Sequence, residues 1–180
     1  NSSELIEIYR AAAEAEIPVF IAGNASNILF DDSGYRGVVL FTTGMKNIGF
    51  DGEKIHAESG AMLTSLSSFA QKNSVAGFSF LYGIPGTVGG AVVMNAGAYG
   101  KNISDVLVRS EYIGADGVIR SINNAEHLFG YRKSVFTSGD IVLRSEFLFE
   151  NKPVEEITAE ISELSEKRSR FLPEGTRIRG

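Results

Sequence analysis

The sequence predicts an α+β fold arranged as two lobes. Three observations carry that expectation. An amphipathic helical pattern opens the chain and runs into a short apolar stretch, Val19-Phe20-Ile21-Ala22. Two Asp-Gly pairs, Asp51-Gly52 and Asp116-Gly117, each separate β-rich runs further on, which is a strong hairpin signal. Between the hairpins lies a glycine-dense stretch from Gly83 to Gly100.

Each element has a local reason. Asn1 with Glu4 three residues on resembles a capping box, and Leu5, Ile8, Ala12 and Ala15 recur at helical spacing, so residues 1–16 read as a helix. Pro18 ends it. Val19–Ala22 reads as a buried strand, and Asp31-Asp32-Ser33-Gly34 as a turn after Ile28-Leu29-Phe30. Val38–Phe41 is the next strand. Ile48 and Phe50 pair across Asp51-Gly52 with Lys54–Ala57. Met62, Leu63, Leu66, Phe69 and Ala70 mark an amphipathic helix, and Val88 to Met94 suits a short one. Residues 106–115 and 118–122 form the second hairpin. Asn124 is a candidate cap for a short helix holding Leu128 and Phe129. Residues 141–149 alternate as a strand, and 155–170 form a final helix with Ile157, Ile161 and Leu164 on one face. The two lobes are expected to meet near Thr43-Gly44, giving units at 1–43, 44–150 and 151–180.

Composition narrows the function. The 180 residues hold 17 Lys+Arg against 22 Asp+Glu, a net charge of −5, with 43% hydrophobic residues. Disorder is excluded, and a general nucleic-acid binder is disfavoured for want of clustered cations. No Cys is present, which removes disulfides, thiolate catalysis and Cys-linked cofactors. No apolar run approaches a membrane span of roughly 20 residues. Glycine is in excess, 20 of 180 residues, or about 11% against a usual ~7%.

Three segments are candidates for chemistry. Gly23-Asn24-Ala25-Ser26-Asn27, continuing to Ile28, follows a buried strand directly. Successive N–H groups in a tight turn form an anion nest, and Ser26 and Asn27 add side-chain donors. A plain turn whose side chains bond their own backbone accounts for the same residues. The second is Gly83-Ile84-Pro85-Gly86-Thr87-Val88-Gly89-Gly90-Ala91, leading into Asn95-Ala96-Gly97-Ala98-Tyr99-Gly100. A helix N-terminus behind a glycine turn offers free N–H groups that suit a diphosphate. Neither a P-loop nor a Rossmann fingerprint is present. The third is Phe129-Gly130-Tyr131-Arg132-Lys133-Ser134. A guanidinium beside a phenol suits a carboxylate or phosphate, although ordinary surface charge explains it better on chemistry alone. His56 and His127 have no ligand spacing for zinc and read as incidental.

Taken in order, these segments resemble the UDP-N-acetylenolpyruvoylglucosamine reductase (MurB) family. The family's Gly-x-Gly-Ser-Asn-x-Leu loop is matched at residues 23–29, departing at Ala25, followed by Asp31 or Asp32 and Gly34-Tyr35-Arg36-Gly37. Gly-Ile-Pro-Gly-Thr-Val-Gly-Gly-Ala and Asn-Ala-Gly-Ala-Tyr-Gly match at 83–91 and 95–100 without a break. Phe-x-Tyr-Arg-x-Ser-x-Phe matches Phe129, Tyr131, Arg132, Ser134 and Phe136.

The resemblance implies a two-lobed FAD-binding fold of the vanillyl-alcohol-oxidase type, with FAD held non-covalently. Gly23, Asn24, Ala25, Ser26, Asn27 and Ile28 would contact it, as would Gly83, Ile84, Pro85, Gly86, Thr87, Gly89, Gly90 and Ala91. Asn95, Gly97, Ala98 and Tyr99 complete the implied set. It further implies a bacterial cytoplasmic oxidoreductase of peptidoglycan synthesis. In that family NADPH reduces the flavin, which passes hydride to UDP-N-acetylglucosamine enolpyruvate. Arg132 would stabilise substrate carboxylate and enolate charge as a catalytic residue, and Tyr131 would line the substrate pocket. The family's Gly-Ser-x-Phe motif is not matched, and residues 171–176 fall where its C-terminal domain is expected to begin. The chain is therefore expected to be the FAD-binding portion, about two-thirds of an enzyme. An FAD- or nucleotide-binding regulatory paralogue without catalysis and another oxidoreductase of the same flavoprotein fold are the alternatives.

Overall fold

The computed structural model describes residues 1–170; the expected start of a C-terminal domain at 171–180 lies outside them. Helix α1 (Ser2–Glu14) is capped by Asn1, whose side chain accepts from the Glu4 N–H at 3.1 Å. It buries Leu5, Tyr9 and Ala12. Strands β1 (Val19–Ala22) and β2 (Val38–Phe41) pair in parallel, with Val19 opposite Val38. Their connection is compact without being regular. Phe20, Phe30 and Tyr35 gather with ring centroids 5.2–6.3 Å apart, which leaves Leu29 97% exposed.

A five-stranded antiparallel sheet follows, made of β3 (Ile48–Phe50), β4 (Ile55–Glu58), β7 (Leu107–Ile113), β8 (Ile119–Asn123) and β9 (Ile141–Phe147). Both Asp-Gly pairs sit in its hairpin loops. Asp51 Oδ1 accepts from Glu53 N and Lys54 N, each at 2.9 Å, with Gly52 at φ +99°. Gly117 at φ +76° plays the same part in the second loop, since a positive φ is easy only for glycine. A further two-residue pair, β5 (Gly97–Ala98) and β6 (Lys101–Asn102), lies apart from the main sheet.

The sheet order is β3-β4-β9-β7-β8, so the last strand is inserted at the centre. β9 is buried on both faces rather than alternating in and out. The cause is a bulge. Glu111 lies opposite Arg144 and Tyr112 opposite Val142, leaving Leu143 as an extra residue, and an extra residue switches side chains to the other face. Ile141 and Leu143 thereby join Leu5, Tyr9, Leu40 and Ile113 in one core cluster under α1. Val142 and Phe147 join a larger cluster with α2 (Leu63–Lys72) and α3 (Val88–Val93). Helix α4 (Val154–Arg170) packs beside α2 through Ile157, Ile161 and Leu164.

Two local expectations are corrected. Asn123, not Asn124, caps the short 3-10 turn at Asn124–His127, with Glu126 completing a capping box. Asn124 instead donates to the carbonyls of Ser104 and Leu107 at 2.8 and 2.7 Å. His127 is not incidental either. It is fully buried, stacked on Phe129 at 4.8 Å and edge-on to Phe136. Its Nδ1 faces the Asn123 carbonyl at 2.9 Å and its Nε2 the Ser110 hydroxyl at 3.0 Å, and Ser110 meets Ser145 at 3.1 Å. A carbonyl only accepts, so Nδ1 carries the proton. In the neutral ring Nε2 then accepts from Ser110, which in turn accepts from Ser145.

Burial pushes the His127 pKa below its usual 6.5. Above pH 6.5 the ring is neutral whether the chain is folded or not. As pH falls below 6.5, the unfolded chain binds a proton that the fold resists, and stability is lost progressively towards the folded-state pKa. Urea midpoints are expected to fall between pH 7 and 5.5 in the native protein. The fall should be clearly smaller in His127→Phe, which keeps the ring stack. Equal pH slopes in the two proteins would rule the effect out.

Candidate functional site

A cleft of about 710 Å³ opens between the loop after β1 and the glycine segment before α3. Its walls bring together Gly23, Asn24, Ala25, Ser26, Asn27 and Ile28 from one side, and Ile84, Pro85, Gly86, Thr87, Gly89, Gly90 and Ala91 from the other. Arg132 also lines the cleft. These residues lie far apart in sequence but face one another here.

The first loop is a nest of donors. Among the described residues, the amides of Asn24, Ala25, Ser26 and Asn27 have no hydrogen-bond partner. Ala25 sits at φ +52°. That left-handed conformation costs an L-residue roughly 1–2 kcal/mol and is the one a glycine adopts freely, which explains in physical terms why the matched pattern has glycine there. A left-handed residue within a run of unpartnered amides is the local pattern from which anion nests are built.

The second loop meets the expectation of a free helix end only in part. α3 has only six residues; its first two amides are taken, while those of Gly86, Thr87 and Gly90 have no hydrogen-bond partner among the described residues. Val88 N donates to Ala61 O and Gly89 N to Ser59 O, both at 2.8 Å. Beside the free amides stand hydroxyls. Thr87 is 2% exposed and Ser59 1% exposed. Both line the cleft, and the side-chain oxygen of each is buried without a partner. A buried hydroxyl left unbonded costs about 1–3 kcal/mol, so the pair points to a ligand. Glycines bring the walls this close. A Cβ on Gly23 would overlap Thr87 Oγ1, and one on Gly89 would lie 2.7 Å from Ser59 Cβ.

Other expected residues lie outside the main cleft. Asn95, Gly97, Ala98 and Tyr131 line a smaller pocket of about 160 Å³, which Arg132 also borders. Asn95 is committed to structure, since its amide donates to Gly130 O at 3.1 Å and its Oδ1 accepts from Ser104 N at 3.1 Å. Tyr131 is 94% exposed. It shares the tip of a tight turn with Arg132, closed by Gly130 N donating to Lys133 O at 3.0 Å, and Arg132 is at φ +53°. Strained backbone at a ligand-facing cation is a common mark of function. Gly83 and Tyr99 line neither pocket and are held by α4.

Sequence reasoning missed Ser59, Thr42 and the segment Phe136–Asp140, all of which line the cleft. Asp140 is the acidic lining residue. Its carboxylate accepts from the Thr137 N–H and hydroxyl at 2.8 and 2.9 Å. A Thr-Ser-Gly-Asp turn ahead of a strand was a readable signal, whereas Ser59 gave none. His56 lies 2.6 Å from Asp51, but among the described residues no group of three or more side chains is placed to hold a metal. No helix among them is long and apolar enough to cross a membrane.

Among the described residues the cleft thus joins unpartnered backbone amides, two orphaned hydroxyls and one cation, an arrangement suited to an anionic ligand. Residues 1–123 match the FAD binding domain family. The chain is 42% identical over 174 residues to the UDP-N-acetylenolpyruvoylglucosamine reductase of Clostridium botulinum (strain Eklund 17B / Type B), covering 96% of this chain and 57% of that one. The enzyme of the same name from Caldanaerobacter subterraneus subsp. tengcongensis is 39% identical, with 96% and 58% coverage. The chain spans a little over half the length of these relatives. Among solved structures, the UDP-N-acetylenolpyruvylglucosamine reductase (MurB) of Thermus caldophilus superposes with a TM-score of 0.80 at 31% identity, covering 93% of this chain and 60% of that one. Glucooligosaccharide oxidase from Acremonium strictum superposes at 0.59 with 17% identity, covering 82% and 33%, a likeness of fold alone.

Proposed function

Since the chain belongs to the FAD binding domain family, we propose that the cleft holds FAD non-covalently, as part of a UDP-N-acetylenolpyruvoylglucosamine reductase. The supporting observation is the pair of buried, unpartnered hydroxyls at Ser59 and Thr87 across from the four free amides of residues 24–27. Those amides would take the diphosphate, and the two hydroxyls would each gain the bond they lack. When bound, FAD supplies hydride transfer, which no side chain of this chain can provide. We read the chain as units at 1–43, 44–150 and 151–180, with the cofactor between the first two.

In this proposal the whole protein acts in the bacterial cytoplasm. It takes reducing equivalents from NADPH and delivers them to UDP-N-acetylglucosamine enolpyruvate. Arg132 is the residue for the substrate's carboxylate. It borders both pockets, and its Nη2 is only weakly held, 3.5 Å from Gly97 O. A loosely tethered guanidinium remains free to form a bidentate pair with a carboxylate, and its charge would oppose the negative charge that builds up in the reaction. Tyr131 at the same tip has its ring 5.8 Å from the Arg132 guanidinium carbon, a contact that leaves the guanidinium mobile, and would line the substrate pocket beside it.

Titrating the protein with FAD tests the cofactor reading. Quenching of flavin fluorescence with a shifted visible spectrum is expected, and a flat titration would reject it. In the FAD-loaded full-length protein, Arg132→Ala should slow substrate reoxidation of reduced flavin by about 100-fold or more. FAD affinity should stay within about threefold, because Arg132 borders both pockets and is not part of the loop at residues 24–27. Equal loss of both would remove Arg132 from the substrate side.

A further inference from the structure

The last turn of α4 reaches back to the glycine segment in a way that its own sequence explains. Lys167 pairs with Glu163 and Arg170 with Glu166, each four residues earlier. Arg168 has Leu164 four residues earlier and Ser165 three residues earlier, so the preceding helical turn offers it no carboxylate. It is half-buried and turns inward. Its Nη1 donates to the carbonyl of Gly83 at 2.6 Å, and its guanidinium lies 5.7 Å from the centre of the Tyr99 ring. Tyr99 closes the contact by donating its hydroxyl to Leu164 O at 3.0 Å.

Both partners stand at strained or special backbone. Gly83 is at φ +77° and Tyr99 at φ +55°. Gly83 opens the segment whose Gly86 carbonyl accepts from Leu63 N at 2.9 Å and which leads to Thr87 at the cleft. Tyr99 lies in the turn that joins β5 to β6, the strand pair that borders the Arg132 pocket. One side chain therefore ties two segments that lead to pocket-lining residues to a single helix end. An arginine suits this, since it donates to a carbonyl and stacks on an aromatic face at once.

We propose that Arg168 is a positioning residue that couples the C-terminal end of α4 to the geometry of the cofactor cleft. The proposal rests on the FAD reading for its affinity consequence but not for the coupling itself. A pin that merely fastens α4 would alter unfolding and leave loop and flavin behaviour alone. The coupling reading requires the opposite.

The test uses Arg168→Met, Arg168→Lys and Tyr99→Phe, with two readouts. Amide hydrogen exchange in the ligand-free protein should speed up over residues 83–87 and 99–102 in Arg168→Met, with exchange in the central sheet unchanged. FAD should bind about tenfold more weakly with an altered visible circular dichroism of the bound flavin. Arg168→Lys keeps a donor for Gly83 and should recover most of the affinity. Tyr99→Phe removes only the hydroxyl contact and should quicken exchange at 99–102, which keeps the idea testable if Arg168→Met folds poorly. Wild-type exchange and affinity in all three variants would overturn the proposal. Native protein that fails to bind FAD would count against the cofactor reading, and the exchange measurement would still decide the coupling.

Discussion

Gly23→Ala is expected to weaken FAD binding by at least about 100-fold, equivalent to roughly 2.7 kcal/mol, in a protein that remains folded. The added Cβ would overlap Thr87 Oγ1 and sit 3.3 Å from both Thr87 Cβ and Cγ2. Neither wall can retreat easily. Gly23 follows β1 directly, and Ala22 is fixed opposite Phe41 by the parallel pairing. Thr87 is the N-cap of α3, and its carbonyl accepts from Ala91 N at 2.9 Å. The overlap must therefore push the loops apart at the point where the nest and the orphaned Thr87 hydroxyl converge. Thr87→Ala alone should cost less, about tenfold, since it removes one ligand bond and no wall. The double variant should bind better than Gly23→Ala, because deleting the threonine oxygen makes room for the new methyl. Such a non-additive cycle is the signature of a shared contact. Gly23→Ala binding within threefold of the native protein would show that the two loops do not jointly hold the cofactor.

The cleft-lining loops were legible because their chemistry is local. Consecutive small residues directly after a strand permit a tight turn with free amides, and Gly23–Ile28 do line the cleft, although that strand is half-buried and not buried as its apolar run suggested. The hairpins were legible for the same reason, since Asp51 and Asp116 bond their own loops. What escaped depends on contacts between distant residues. β9 sits between β4 and β7, and its alternation misleads because the bulge at Leu143 reverses its faces. The expectation of a free α3 N-terminus held only in part, because residues 59–61 supply carbonyls to Val88 and Gly89 while the Gly90 amide stays without a partner among the described residues. That pairing leaves no trace in the local pattern around residue 88. Ser59 escaped for a related reason. Nothing in His-Ala-Glu-Ser-Gly marks one serine as buried and unbonded until Gly89 is packed against it. His127 looked incidental because its acceptor and donor, Asn123 and Ser110, include a neighbour in space that is 17 residues away.

The same segment that hides Ser59 supplies the largest expected effect on the fold. Gly60→Ala should destabilise the protein by about 3 kcal/mol or more, which is a large part of a small domain's usual 5–15 kcal/mol. A Cβ there would overlap the carbonyl of Thr42 and lie 2.7 Å from the carbonyl of Met45. Both obstacles are backbone, so no rotamer change relieves them. They belong to the 3-10 turn at Thr42–Gly44, between β2 and β3. Gly60 itself is held there, donating to Met45 O at 2.8 Å. Its neighbours are equally committed: Ser59 N donates to Leu143 O at 2.9 Å and Ala61 O accepts from Val88 N at 2.8 Å. Residues 59–61 thus join the central strand, the helix behind the cleft and the turn leaving β2, and a displacement of Gly60 disturbs all three. Gly44→Ala is the control. A Cβ on Gly44 meets nothing within 4 Å and its φ is not positive, so its unfolding midpoint should stay within about 0.5 kcal/mol of the native protein. Urea unfolding at pH 7 measures both. If Gly60→Ala were no more destabilising than Gly44→Ala, the close approach of residue 60 to the Thr42–Met45 turn would not be a feature of the folded protein. The orphaned Ser59 hydroxyl beside it would then lose its support as a cofactor contact as well.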